Sequence, residues 1–225
     1  GDMKPVSGSD GSAKVFTIDP ITHSGRTELT PAESDLDSLT NTVSLANLGG
    51  LGVLEGKYVD VRNGMSCDSG FGAFDASNQF SYAHSDPRFQ EAMTYFYGDR
   101  YQARLDGWGY LLNSVPVKIV AHCMKDDNAF YYPSVSGSAQ RMGNVCLGDS
   151  VRTPGASYAD DAEVVIHELQ HGNTLEAYDS SPKVTLNQFR YDEAGALNEA
   201  ISDFVALLFA APSVAPSLDP RVFSR

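Results

Sequence analysis

Residues Glu163–Thr174, "EVVIHELQHGNT", decide how the rest of the chain is read. His167 and His171 are separated by three residues, and Glu168 directly follows the first histidine. On a helix of about 3.6 residues per turn, positions four apart lie on one face with Cβ atoms about 6 Å apart. Two imidazoles from that face can converge on one ion. Glu168 stands one step round the helix, where a base that takes a proton from an activated water is needed. The same spacing also occurs on ordinary solvated helices, so the surroundings must decide.

A catalytic zinc site usually takes three protein ligands, so a third His, Asp or Glu should follow. "GALNEAISDF", Gly195–Phe204, supplies Glu199, with Asp203 four residues further on the same helical face. One carboxylate can ligate while the other reaches the outer N–H of a histidine ligand. Ala200, Ile201, Phe204, Val205, Leu207 and Leu208 surround them, and this composition predicts a buried helix. Two carboxylates with no partners would be costly on such a helix.

The two motifs in this order resemble the thermolysin-like zinc metallopeptidases, the gluzincins, with a secondary likeness to the fungalysin-like group. The resemblance implies Zn2+ held by His167, His171 and Glu199, with Glu168 as catalytic base and Asp203 orienting a histidine. It implies a zincin-like α+β fold and an endopeptidase acting on protein or peptide substrates. Upstream, "DNAFYY" (127–132) and "GNVCLGDS" (143–150) resemble that family's edge strand and the strand after it. By that likeness Asn128 and Ala129 would bind an extended peptide by adding it to the sheet edge; a plain hairpin is the other reading. Tyr191 is the candidate for the family's transition-state phenol, against a packed loop tyrosine. Acids for that family's double calcium site are missing from "FVALLFAAPSVAPS" (204–217), with Glu163 alone at a suitable position, so Ca2+ is not expected.

The family continues into a helical C-terminal domain that walls the cleft and supplies a histidine, whereas all five histidines here lie at or before His171. The chain is therefore expected to be a fragment of an enzyme with that domain missing. The alternative is a non-catalytic protein, stabilised by zinc, that binds peptide without cutting it.

Local patterns place the motifs. "KVFTIDP" (14–20) and "GKYVDVRNG" (56–64) read as strands. "SDPRFQEAMTYFYGDRYQARL" (85–105) reads as an amphipathic helix capped by Ser85 or Asp86, with Pro87 in its first turn. "VPVKIVAHC" reads as a strand, followed by a hairpin-like pair of strands. The His167 helix should end near Gly172, with a polar loop following, and a second helix should start near Asp192. On this reading the chain divides into a flexible tail (1–13), a β-rich part (14–85), the catalytic core (86–211) and an extended segment (212–225). The fold is α+β with a mixed or antiparallel sheet.

Composition limits the partners. The formal charge of −13 over 225 residues repels nucleic-acid phosphates and anionic lipid, and no apolar run is long enough to span a bilayer. Neither nucleic acid nor membrane is an expected partner. Three cysteines are too few for a disulfide scaffold; Cys123 and Cys146 either bridge or stay as buried thiols, and Cys67 is left over. Family likeness, acidity and that cysteine pair together suggest a secreted or extracellular location.

Overall fold

The structure is a computed structural model and describes residues 11–26, 29–33, 35–64, 70, 72–110, 115–132, 143–179 and 192–210. It is α+β. Strand β1 (Gly11–Val15) is the middle of a three-stranded sheet, antiparallel to β2 (Asn41–Leu45) and parallel to β4 (Gln79–Phe80). A short helix α1 (Pro20–Ser24) lies between β1 and β2. The second sheet has the order β3 (Val59–Asn63), β5 (Val117–Lys125), β7 (Asn144–Asp149), β6 (Ala129–Tyr132). Its first three strands run parallel, and β6 closes one edge antiparallel to β7.

Helix α2 (Pro87–Gly107) is the centre of the core. Asp86 caps it, accepting from the Arg88 N–H at 3.0 Å, and Pro87 occupies the first turn, where its missing N–H costs nothing. Phe89, Met93, Tyr95, Phe96, Tyr97 and Tyr101 are all buried, because sheets and helices cover α2 on several sides. Fully burying one such ring contributes about 1.5–3 kcal/mol. Gly98 lets the helix lie close on the larger sheet: a Cβ there would stand 3.1 Å from Ile119 and 3.2 Å from Val59.

Four expectations change. Gly11–Ala13 belong to β1 and not to a tail; a Cβ at Gly11 would meet Leu48 and the Asn78 carbonyl, so glycine permits this close pairing. Residue 85 is no structural boundary, since β3 pairs with β5 and one core cluster runs from Ala13 to Ala206. Helix α3 (Ala162–Asp179) passes straight through Gly172. A glycine inside a helix costs only about 1 kcal/mol, and the buried Asn173, Thr174 and Glu176 continue the packed face. Helix α4 (Asp192–Ala210) packs on α3 through Asn198, Ser202 and Ala206, but it is not buried all round: Leu197, Phe204 and Leu208 are 55%, 66% and 58% exposed.

Cys123 and Cys146 are bridged, with Cα atoms 5.4 Å apart. They join neighbouring parallel strands β5 and β7 behind the edge strand. At the same place β5 bulges, with His122 at φ 56°. Its ring spans from the Asp149 carboxylate (2.7 Å) to the Pro87 carbonyl (3.0 Å), tying β7 to the start of α2. Cys67 lies outside the described residues. Among the described residues no helix is long and apolar enough to cross a membrane.

One buried carboxylate makes stability depend on pH. Asn47 Nδ2 donates to both oxygens of Asp99 on α2, at 3.2 and 3.0 Å. Burial pushes this carboxyl up to about 7, against the opposing pull of Asn47 and Lys57. Below the ordinary value of about 3.9, folded and unfolded chains are both protonated. Between there and about 7 the folded chain keeps a proton that the unfolded chain has lost, so this group lowers stability as pH rises through that window. Asp99→Asn is expected to gain on the order of 4 kcal/mol over the parent at pH 8 and nothing at pH 4, a difference that denaturant titrations at the two values would measure.

Candidate metal centre

Helices α3 and α4 bring together the residues singled out in their separate motifs. His167, Glu168 and His171 project from adjoining positions of α3 and form a group able to hold a metal ion. His167 Nε2 and His171 Nε2 stand 2.9 Å apart. Glu199, on the facing turn of α4, places Oε2 3.2 Å from the first and 3.5 Å from the second. Three donor atoms from two helices thus form one small triangle.

The outer ring nitrogens are also held. Asp203 Oδ1 lies 2.9 Å from His167 Nδ1. A carboxylate only accepts, so Nδ1 is the donor of this pair, which leaves Nε2 as the ring atom turned towards the triangle. His171 Nδ1 faces Ser202 Oγ at 3.2 Å. Burial, followed by the neighbouring His167, holds the His171 imidazole below its usual range, which favours the neutral ring that a metal requires. Ser202 is fully buried and was missed in the sequence reading. The available signal was its position, three residues after Glu199 and on the side of α4 that faces α3.

Glu168 is buried beside this triangle. Burial pushes its carboxyl up to about 7; the Glu199 charge adds to the rise, while His167 and the Tyr131 backbone N–H oppose it. The Tyr131 contact matters because it ties the base to strand β6. Alternation along β6 follows from one bond: the Gly148 N–H donates to the Asn128 carbonyl at 3.1 Å. In this antiparallel register the backbone groups of Phe130 and Tyr132 face β7, while those of Ala129 and Tyr131 face away from it. Ala129 therefore presents its N–H and C=O at the outer edge of the sheet, where no described strand pairs with them. Asn128 does not: its N–H is bonded to the Asp126 carbonyl at 2.8 Å and its C=O to Gly148, leaving the exposed side-chain amide.

Glu199 and Asp203 are exposed, so the α4 side of the triangle is open to solvent. Tyr191 lies outside the described residues. Asp203→Asn is expected to weaken metal binding about 10–100-fold, with little change in the metal-free melting temperature because the side chain is exposed. Competition with a chromogenic chelator measures this; unchanged affinity would remove Asp203 from the centre. Compared with models of protein families and with curated proteins, the chain matches none of them.

Proposed function

We propose that this chain is the catalytic part of a zinc-dependent endopeptidase of the gluzincin type, with a zincin-like fold. The observation that carries the reading is the triangle with sides of 2.9, 3.2 and 3.5 Å formed by His167, His171 and Glu199. Zinc takes four tetrahedral ligands at about 2.0–2.1 Å, which sets neighbouring ligands about 3.3 Å apart. Three donors already stand at that separation, and two imidazoles with one carboxylate are a zinc-binding set. Calcium, which prefers six or more oxygens, does not fit it.

Zinc held there would supply Lewis acidity, polarising a carbonyl and acidifying a water. The residues do the rest. Glu168, with a carboxyl near 7, takes the proton of the attacking water and gives it to the leaving amine. Asp203 and Ser202 hold the two rings. Ala129 offers the free-edge hydrogen bonds that would align an extended peptide beside Glu168, with the Asn128 amide at the end of that edge. The proposed partners are a protein or peptide substrate and a C-terminal domain packed on the exposed Leu197, Phe204 and Leu208 stripe. A secreted location is proposed on the Cys123–Cys146 bridge, since such bonds persist in oxidising compartments.

A second reading, zinc-stabilised peptide binding without cleavage, is favoured by the solvent-open α4 side of the centre. Cleavage of internally quenched peptides separates the two, using this chain and a form extended beyond Arg225. The enzyme reading predicts cleavage that a chelator abolishes and zinc restores, in at least the longer form. Zinc binding with no cleavage in either form overturns it.

A further inference from the structure

Away from the metal centre, Tyr97, Arg100, Tyr101 and Arg104 of α2, Ile166 of α3 and Phe209 of α4 line an open hollow of about 70 Å3. Phe209 is ten residues along α4 from Glu199, about 15 Å at helical rise. Two features make the cavity unlike the rest of this surface. The first is charge. Arg100 and Arg104 are four residues apart on one face of α2, and neither forms an ion pair among the described residues. Every other described arginine does: Arg26 with Glu33, Arg62 with Asp60, Arg88 with Asp86 and Arg152 with Asp127. The nearby acids of α2 are engaged elsewhere, Asp99 with Asn47 and Asp106 with Lys57. In a chain of formal charge −13, two neighbouring guanidinium groups with no ion pair among the described residues are a local exception.

The second feature is the wall. The Arg100 guanidinium stacks over Phe96 at 4.9 Å and that of Arg104 over Trp108 at 5.8 Å. Trp108 and Tyr101 in turn pack against Phe209, with ring centroids 5.5 and 5.1 Å apart. The tyrosine hydroxyls are spent inside the protein, Tyr97 on the Phe16 carbonyl and Tyr101 on Gln170, so the rings offer apolar faces. A contact with a ring face leaves the guanidinium N–H groups without an ion-pair partner among the described residues, and a guanidinium can hold a carboxylate through two parallel bonds. Tyr and Arg lining a small hollow, with Trp108 beside it against Phe209, is also the composition of an interface anchor site.

We propose that this cleft is a docking site for an acidic peptide segment, Arg100 and Arg104 holding carboxylates while an adjacent apolar side chain enters the cavity. Charge complementarity selects this occupant: a second copy of so acidic a chain would be repelled, whereas a short segment rich in Glu or Asp is drawn to the only unpaired arginines among the described residues.

Trp108 is the single tryptophan of the chain, is 52% exposed and lies against Phe209 of the lining, so its fluorescence reports on the site through that contact. The probe is an acetylated, amidated pentapeptide of sequence Gly-Glu-Phe-Glu-Gly, with Gly-Gln-Phe-Gln-Gly as its neutral twin. Saturable change is expected with the acidic peptide, weakening as salt is raised, and equal with or without zinc. The Arg100→Gln, Arg104→Gln double variant, altered only at exposed positions, is expected to bind at least tenfold more weakly with an unchanged circular dichroism spectrum. Equal affinity for the neutral peptide or in the double variant overturns the proposal. A signal that disappears with zinc would move the peptide to the metal centre, and one matched by inorganic phosphate would mean adventitious anion binding; either overturns it. So does self-association of the parent chain that the double substitution abolishes.

Discussion

On the proposed function, Glu168→Gln is expected to lower the rate of peptide cleavage about 1000-fold without weakening zinc binding. The size follows from the role. A positioned general base contributes about 100- to 10,000-fold, and its loss appears in kcat more than in KM because the proton moves only as the reaction proceeds. Glutamine keeps the shape of the side chain, and its carbonyl oxygen can still accept from the Tyr131 N–H, so the packing of α3 against β6 survives. Burial has already pushed this carboxyl up to about 7, so replacing it by a neutral amide is not expected to unfold the chain. Steady-state kinetics on a quenched peptide, with zinc analysis of the same sample, check the prediction. Unchanged kcat with full zinc would remove Glu168 from the reaction. Loss of zinc together with activity would make it a structural or ligating group.

His171→Ala should have the largest effect on metal binding, at about 1000-fold weaker affinity. Tightly held zinc in small protein sites binds with about 10–16 kcal/mol shared among its ligands, so one ligand accounts for about 3–4 kcal/mol, and each 1.4 kcal/mol is tenfold. That exceeds the expectation for Asp203→Asn, because Asp203 touches the ring of His167 and would act on a metal only through it. The ranking is itself a test. His171 is buried between α3 and α4, so truncation also leaves a cavity, and the melting temperature of the metal-free chain must be measured beside the affinity. A zinc affinity that falls no further than the metal-free stability accounts for would mean that His171 is packing and not a ligand.

Helical spacing made the centre legible. His167 to His171 and Glu199 to Asp203 are both steps of four, so each pair shares a face whatever surrounds it, and the two faces do meet. The cap at Asp86 was equally readable, because an acidic side chain before Pro87 satisfies a first-turn N–H by local geometry alone. What could not be read locally was decided by long-range packing. The pairing of β3 with β5 joins residues over fifty positions apart, and nothing in either strand names its neighbour. The reach of α3 beyond Gly172 depends on the face it buries, which outweighs a small propensity cost. On α4 the error ran the other way: an apolar residue at almost every position does not say which side is covered, and Leu197, Phe204 and Leu208 lie on the open one. For Asn128, the turn at Asp126 and the bond from Gly148 take its backbone groups, so the peptide contact that the motif suggests falls to its side-chain amide.

These observations share one physical cause. Side-chain chemistry at fixed helical spacing is local, whereas exposure, strand order and spare hydrogen-bonding capacity are properties of the whole packed chain. Ser202 falls between the two: its hydroxyl matters only because α4 presents that turn to His171.

We propose that His167, His171 and Glu199 form one zinc centre, and X-ray absorption at the zinc edge reads the ligands of that ion themselves. The chain should be loaded with one equivalent of zinc and measured beside His171→Ala. The expected result is one zinc per chain, bound by two imidazole nitrogens at about 2.0–2.1 Å and a carboxylate oxygen at about 2.0–2.2 Å, with one imidazole missing from the variant's spectrum. Failure to hold stoichiometric zinc, or a spectrum that His171→Ala leaves unchanged, would contradict it.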